Sequence, residues 1–96
     1  MAATYYRGGP SLKPRPHDIR VDRVAGLVQP THGVSVFDRP DGLERFGGAY
    51  RTGSLPDNLK IIQRGRDQHH YEIVPANPMT VAEYEEALSK ILLVPV

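Results

Sequence analysis

Proline and glycine interrupt this chain along its whole length, with nine of each among 96 residues. Proline lacks the backbone N–H that a helix interior needs, and glycine weakens helices and strands alike. Long helices are therefore excluded over most of the chain, and short strands joined by turns are expected instead. The segment 10–17, with Pro10, Pro14 and Pro16, is expected to be extended and irregular.

Short segments of β-branched and aromatic residues lie between these breaks. They predict strands over 4–7, 34–37, 49–51, 59–63 and 69–74, and a helical turn that ends near Arg45. The link between the last two strands is short and polar, so these strands are expected to be antiparallel neighbours. Residues 18–28 fit neither strict alternation nor a helical stripe, and both a strand and a single helical turn stay open there.

The clearest helix pattern lies near the C-terminus. Thr80 and Glu83 have the spacing of a capping box, in which each side chain binds an unpaired amide at the helix start. Apolar residues follow at three- and four-residue spacing and should form a stripe that packs on the sheet: Val81, Tyr84, Leu88, Ile91 and Leu92. Pro95 is expected to end the helix. Together these elements predict one α+β domain over residues 1–96, with five or six short, mostly antiparallel strands and a C-terminal helix.

Composition narrows the classes of partner. The chain contains no cysteine, which excludes a disulfide framework and a cysteine-based metal site and suits a cytoplasmic protein. A net charge of +1 is too small to indicate a stable nucleic-acid partner. Residues 1–7 contain no apolar run like that of a signal peptide, and no segment approaches the ~20 apolar residues of a membrane helix, so no membrane partner is expected.

Two histidines and a carboxylate stand together on the late strand. His69 and His70 should point to opposite faces of the sheet, whereas His70 and Glu72 should share a face, ~7 Å apart. Such a pair can act as proton acceptor and orienter, or can contact a ribose hydroxyl. A surface pair without chemistry is the alternative. His17 and His32 do not complete the spacing of a zinc motif, so no metal site is expected.

Arginine and serine supply further candidates. Arg7 precedes Gly8 and Gly9, where the backbone can approach a ligand closely and a guanidinium can grip phosphate with two donors. Ser35 is an isolated serine among the apolar residues of a predicted strand. Basic residues also gather in the first quarter of the chain, which favours a phosphate-bearing ligand near the N-terminal half; scattered, solvated charge is the alternative.

The run Ser-Val-Phe-Asp-Arg at 35–39, with ordered matches from Asp18-Ile19 through His70-Tyr71 to Pro78-Met79, resembles the Tse-two family of type VI effector toxins. The similarity covers roughly residues 15–93, with a weaker match at Tyr6-Arg7. It implies an ADP-ribosyltransferase-like split β-sandwich around an NAD cleft. It also implies a toxin that acts in the bacterial cytoplasm, of the producing or the target cell, on an unidentified ADP-ribose acceptor, and that a cognate antitoxin or immunity protein neutralises.

The resemblance also implies roles for individual residues. Arg7, with Tyr6 beside it, corresponds to the first-strand arginine that holds an NAD phosphate or ribose, and Arg15 falls on a second basic position. Ser35 corresponds to the serine that shapes the nicotinamide-ribose pocket.

His70 and Glu72 compete for the third catalytic role, because His70 matches a family histidine whereas a late-strand glutamate is usual in ADP-ribosyltransferases generally. The chain departs from the family in being shorter. Residues 8–34 between the first two motifs are proline-rich, so the usual helical layer there should be reduced or absent.

Two other classes of function stay open. A compact endoribonuclease toxin would use His70 or His32 as acid and base, with Arg64 and Arg66 against phosphate. A non-catalytic protein that acts by binding would require none of the candidate catalytic side chains.

Overall fold

A computed structural model describes residues 3–96. Short strands dominate it, with one α-helix and two short 3-10 helices. The strands are β1 (Tyr6–Gly8), β2 (Leu27–Val28), β3 (Val34–Phe37), β4 (Ala49–Thr52), β5 (Leu59–Gln63), β6 (His70–Pro75), β7 (Met79–Thr80) and β8 (Leu93–Pro95); the helix is α1 (Val81–Ser89), and the 3-10 helices are Pro16–Asp18 and Glu44–Phe46.

The main sheet has six strands in the order β5-β6-β3-β1-β4-β8, and each of its strand pairs is antiparallel. The predicted neighbours β5 and β6 pair from Leu59 opposite Pro75 to Gln63 opposite Tyr71. Strands β2 and β7 form a separate two-stranded antiparallel sheet. The prediction of an α+β fold with short, mostly antiparallel strands is confirmed.

The core lies between one face of the main sheet and α1. Strand β3 alternates as its sequence predicts, with Val34 and Val36 fully buried while Ser35 and Phe37 are half-buried on the other face. From the helix, Tyr84 and Leu88 pack into the same cluster. Burying these side chains removes apolar surface from water, which is the main stabilising contribution in so small a domain.

The helix begins as predicted and ends earlier than predicted. The Thr80 hydroxyl accepts from the Glu83 amide, and the Glu83 carboxylate accepts from the Thr80 amide, which completes the capping box. The helix stops at Ser89, and Leu92, expected in the buried stripe, is 69% exposed. The Leu92 carbonyl accepts from the Gly53 amide, so the chain leaves the helix and enters the extended strand β8.

Pro95 therefore does not end the helix. It lies in β8, the edge strand beside β4, where proline is tolerated because an outer strand position needs no amide donor. The ambiguous segment 18–28 contains both of its alternatives in part. The 3-10 helix Pro16–Asp18 ends at Asp18, the first residue of this segment. Further along, Val21 forms an isolated antiparallel bridge with Val28 of β2.

Candidate functional site

A cleft opens where β1 and β3 stop pairing. The two strands are paired at one position, Tyr6 opposite Phe37, whereas β1 pairs with β4 over three positions. Arg7 spans the opening: its Nη1 donates to the Ser35 carbonyl at 2.8 Å, and its Nε donates to the Ser11 carbonyl at 2.9 Å. The guanidinium thus supplies the hydrogen-bond donor for the strand carbonyl of Ser35 and ties β3 to the segment that follows β1.

The cleft has a volume of about 490 Å³, within the ~300–1,000 Å³ usual for ligand sites. It contains three arginines, one aspartate and one histidine, so cationic groups predominate. The lining residues are Arg7, Gly8, Arg15, Asp18, Ser35, Phe37, Arg45, Phe46 and His70. A site of this charge suits an anionic ligand such as a phosphate ester.

His70 is held in one tautomer by the backbone. Its Nδ1 lies 2.6 Å from the Arg64 carbonyl, which can only accept a hydrogen bond, so Nδ1 carries the proton. In the neutral ring Nε2 is then an acceptor, and the Ser35 hydroxyl, 3.0 Å away, donates to it. Phe37 packs edge-on against the imidazole, with ring centroids 5.5 Å apart, and helps to fix its orientation.

Glu72 lies behind this pair and does not line the cleft. It is Cα partner of Ser35 across the β3–β6 ladder and is only 3% exposed. Its Oε1 accepts from the Gly33 amide at 2.9 Å and its Oε2 accepts from Arg64 Nε at 2.9 Å. Oε2 is also 3.7 Å from His70 Nε2, so the predicted same-face pairing of His70 and Glu72 is present.

The start of β3 lies close to β6, and Gly33 and Tyr84 make this approach possible. Gly33 is required there because a Cβ would lie 1.9 Å from the Ile73 carbonyl oxygen and 2.7 Å from the Tyr84 hydroxyl. The Tyr84 hydroxyl accepts from the Val34 amide at 3.1 Å and donates to the Ile73 carbonyl, bridging the two strands. Burial raises the pKa of Tyr84 to about 12, so the hydroxyl keeps its proton at neutral pH.

Charged neighbours also act on the cleft cations. Burial lowers the pKa of the Arg7 guanidinium; Asp18 opposes this shift, and Arg15 adds to it by repulsion. An arginine remains charged at neutral pH even after such a shift. Outside the cleft, burial together with Arg64 and Arg20 lowers the pKa of His32, which favours its neutral form.

The structure brings together four of the six predicted site residues as lining groups: Arg7, Arg15, Ser35 and His70. Neither Glu72 nor Tyr6 lines the cleft. Glu72 is buried behind His70, and Tyr6 is a half-buried residue of β1. His69, expected on the face opposite to His70, does not line the cleft and pairs with Asp38, with Nδ1 2.8 Å from Oδ1.

Sequence reasoning missed several lining residues. Arg45 lies over the ring of Phe46, 4.7 Å from its centroid, and both belong to the second 3-10 helix. Phe46 is 48% exposed, and it lines the cleft together with Arg45. The sequence offered no signal for these residues beyond the helical turn predicted to end near Arg45.

Among residues 3–96, no group of three or more histidine or acidic side chains is placed to hold a metal ion. Nor does any helix in that range have the length and apolarity to cross a membrane. Comparison with protein-family models finds no matching family, and comparisons with curated proteins and with solved structures find no significant match.

Proposed function

We propose that this protein is a small bacterial toxin that transfers ADP-ribose from NAD, on a compact fold of the ADP-ribosyltransferase type. One observation carries the proposal: Arg7, Ser35 and His70, distant in sequence and on three different strands, line a single cationic cleft. The resemblance to the Tse-two family assigns the same three residues to the NAD site, in the same order along the chain. A cognate antitoxin or immunity protein then neutralises the toxin in the bacterial cytoplasm.

Arg7 suits the diphosphate of NAD. A guanidinium has five N–H donors, and two of them serve the carbonyls of Ser11 and Ser35, which leaves three for a ligand. The bonds to the backbone fix the guanidinium before the ligand arrives, so less entropy is lost on binding. Arg15 and Arg45 add positive charge on the same cleft, which favours a dianionic group over a neutral one.

Ser35 and His70 suit the nicotinamide ribose. Breaking the bond between ribose C1 and nicotinamide leaves positive charge on the sugar, and polar groups preorganised around that sugar lower the barrier. His70 contributes a lone pair at Nε2, held in place by the Arg64 carbonyl. His70, rather than Glu72, therefore takes the third catalytic role in this proposal. Glu72 is buried, and its carboxylate oxygens already accept hydrogen bonds from the Gly33 amide and from Arg64.

The test is a titration of NAD into isotope-labelled protein, followed through backbone amide shifts, together with an assay of nicotinamide release. Saturable shifts grouped at Arg7, Ser35 and His70, and weakened in Ser35→Ala, are expected. Ser54→Ala is the matched control, because Ser54 is exposed and does not line the cleft. An absence of shifts at millimolar NAD, with no nicotinamide released, would refute the transferase proposal.

The endoribonuclease alternative named Arg64 and Arg66 as its phosphate-binding residues, and neither lines the cleft. An RNA phosphodiester in the cleft would instead be bound by Arg7, Arg15 and Arg45. General acid–base cleavage of RNA works best with two proton-transfer groups, whereas His70 is the one histidine that lines this cleft. RNA cleavage without nicotinamide release would establish the nuclease. Toxicity that survives both Ser35→Ala and His70→Gln would instead indicate action by binding alone.

A further inference from the structure

Ser35 has the hydrogen bonding of a nucleophile, which holding NAD alone does not require. Its hydroxyl donates to His70 Nε2 at 3.0 Å, and His70 Nδ1 is in turn anchored on the Arg64 carbonyl at 2.6 Å. A nucleophile, a base and a group that orients the base are the three parts by which enzymes activate a hydroxyl. The buried Glu72 Oε2 lies 3.7 Å from the same Nε2.

The other serines of residues 3–96 lack this arrangement. The Ser11 hydroxyl accepts from the Lys13 amide, and the Ser89 hydroxyl donates to the Glu86 carbonyl one helical turn earlier. Ser54 is exposed and does not line the cleft. The one serine bonded to a histidine in this part of the chain therefore lies on the wall of the cationic cleft.

We propose that Ser35 itself accepts ADP-ribose, so that the protein modifies its own cleft. This inference rests on the proposed use of NAD and adds to it an acceptor. The Ser35 oxygen attacks C1 of the nicotinamide ribose, and a C–O bond forms as the C–N bond to nicotinamide breaks. The bonding electrons leave with nicotinamide, which departs as a neutral molecule, and the hydroxyl proton passes to His70 Nε2.

The modification limits the activity of the chain that carries it. An ADP-ribosyl group on Ser35 occupies the wall on which the next NAD would bind, and it removes the hydroxyl proton that His70 accepts. Nicotinamide release in the absence of another acceptor should therefore stop after about a single turnover per chain. Because donor and acceptor share one cleft, the reaction is intramolecular, and its rate should not change when the protein is diluted.

The experiment uses the full chain with NAD alone. Released nicotinamide is measured, the intact mass is followed, and the modified residue is located by peptide fragmentation, with Ser11, Ser54 and Ser89 as internal comparisons. The proposal predicts a mass gain of one ADP-ribose, located on Ser35, at a rate independent of protein concentration. The linkage should resist hydroxylamine, which cleaves ADP-ribose esters of aspartate and glutamate but not an O-glycosidic bond to serine.

The outcomes separate this inference from the function on which it rests. Nicotinamide release with no ADP-ribose on Ser35, or with the modification on another residue only, overturns the inference while the use of NAD stands. No nicotinamide release overturns both. Replacement by His70→Gln adds a second readout: Ser35 modification should be lost while amide shifts caused by NAD at Arg7 persist. Modification of Ser35 at an unchanged rate in that variant would contradict the role of His70 as its base.

Discussion

Arg7 donates a hydrogen bond from Nη1 to the backbone carbonyl of Ser35, 2.8 Å away, at the point where β1 and β3 cease to pair. A side chain thus closes a gap in the sheet, and the same side chain lines the cleft that the gap creates. The residue is consequently part of the fold and part of the candidate site at once. Substitutions at Arg7 should affect both stability and ligand binding.

Replacing Arg7 with lysine tests this double role. Lysine keeps the charge but lacks the planar fork, so it cannot serve the carbonyls of Ser11 and Ser35 and a phosphate together. We expect a stability loss of about 1–3 kcal/mol in urea unfolding and at least about tenfold weaker NAD binding. Arg66→Lys, at an exposed arginine outside the cleft, is the control and should change neither quantity. Unaltered NAD affinity in Arg7→Lys would contradict the phosphate role.

Replacing Glu72 with glutamine distinguishes structural from catalytic use of that carboxylate. The substitution removes the charge that Arg64 and the Gly33 amide contact, and it should destabilise the protein by about 1–3 kcal/mol. The half-exposed position of Arg64 keeps this cost at the lower end for a buried ion pair. NAD should still cause amide shifts at Arg7, because Glu72 does not line the cleft. Loss of those shifts in a folded variant would show that Glu72 contributes to NAD binding. Glu85→Gln, on the exposed helix face, is the control.

Replacing Gly33 with alanine tests the close approach of β3 and β6. A Cβ at this position would lie 1.9 Å from the Ile73 carbonyl oxygen, and backbone cannot move aside as a flexible side chain can. We expect a destabilisation of about 3 kcal/mol, measured by thermal or urea unfolding. Gly53→Ala is the comparison, because its nearest contact would be the Leu92 Cβ at 3.3 Å, and it should cost much less. Equal losses in the two variants would show that the approach at Gly33 relaxes easily.

Replacing Tyr84 with phenylalanine tests the hydroxyl that bridges β3 and β6. The Val34 amide and the Ile73 carbonyl would each lose a buried partner, with an expected cost of about 1–3 kcal/mol at neutral pH. The variant should also change the alkaline limb of the stability curve. Burial raises the pKa of Tyr84 from 10.0 in the unfolded chain to about 12 in the folded one.

The sign of this pH dependence follows from proton binding. Between these two pKa values the folded state keeps a proton that the unfolded state has lost, so stability falls as the pH rises. The contribution of the raised pKa is fully present below pH 10 and is lost as the pH rises through the folded value, a change of about 3 kcal/mol. Tyr84→Phe should flatten this limb relative to the parent chain. Urea unfolding at a series of alkaline pH values measures it, and parallel curves for the two proteins would contradict the assignment to Tyr84.

Local sequence patterns predicted the bounds of two strands and the start of the helix. Strands β3 and β5 have the predicted bounds, and in β3 two-residue alternation separates the buried Val34 and Val36 from the half-buried Ser35 and Phe37. The helix start is set by Thr80 and Glu83, three residues apart. The end of the same helix was not predictable in this way. It depends on the bond between the Gly53 amide and the Leu92 carbonyl, which joins distant parts of the chain.

Residue types and their order are set by the sequence itself: short strands between prolines and glycines, one capped helix, and an arginine, a serine and a histidine on three separate strands. Only the tertiary structure decides which of these side chains meet. It places the Ser35 hydroxyl within hydrogen-bond distance of His70 and buries Glu72 behind the cleft. Tyr84, predicted only as part of an apolar stripe, uses its hydroxyl to connect β3 and β6. The physical reason is that these contacts depend on sheet register and on the packing of α1. Both are determined by contacts between residues far apart in the sequence, which no local pattern specifies.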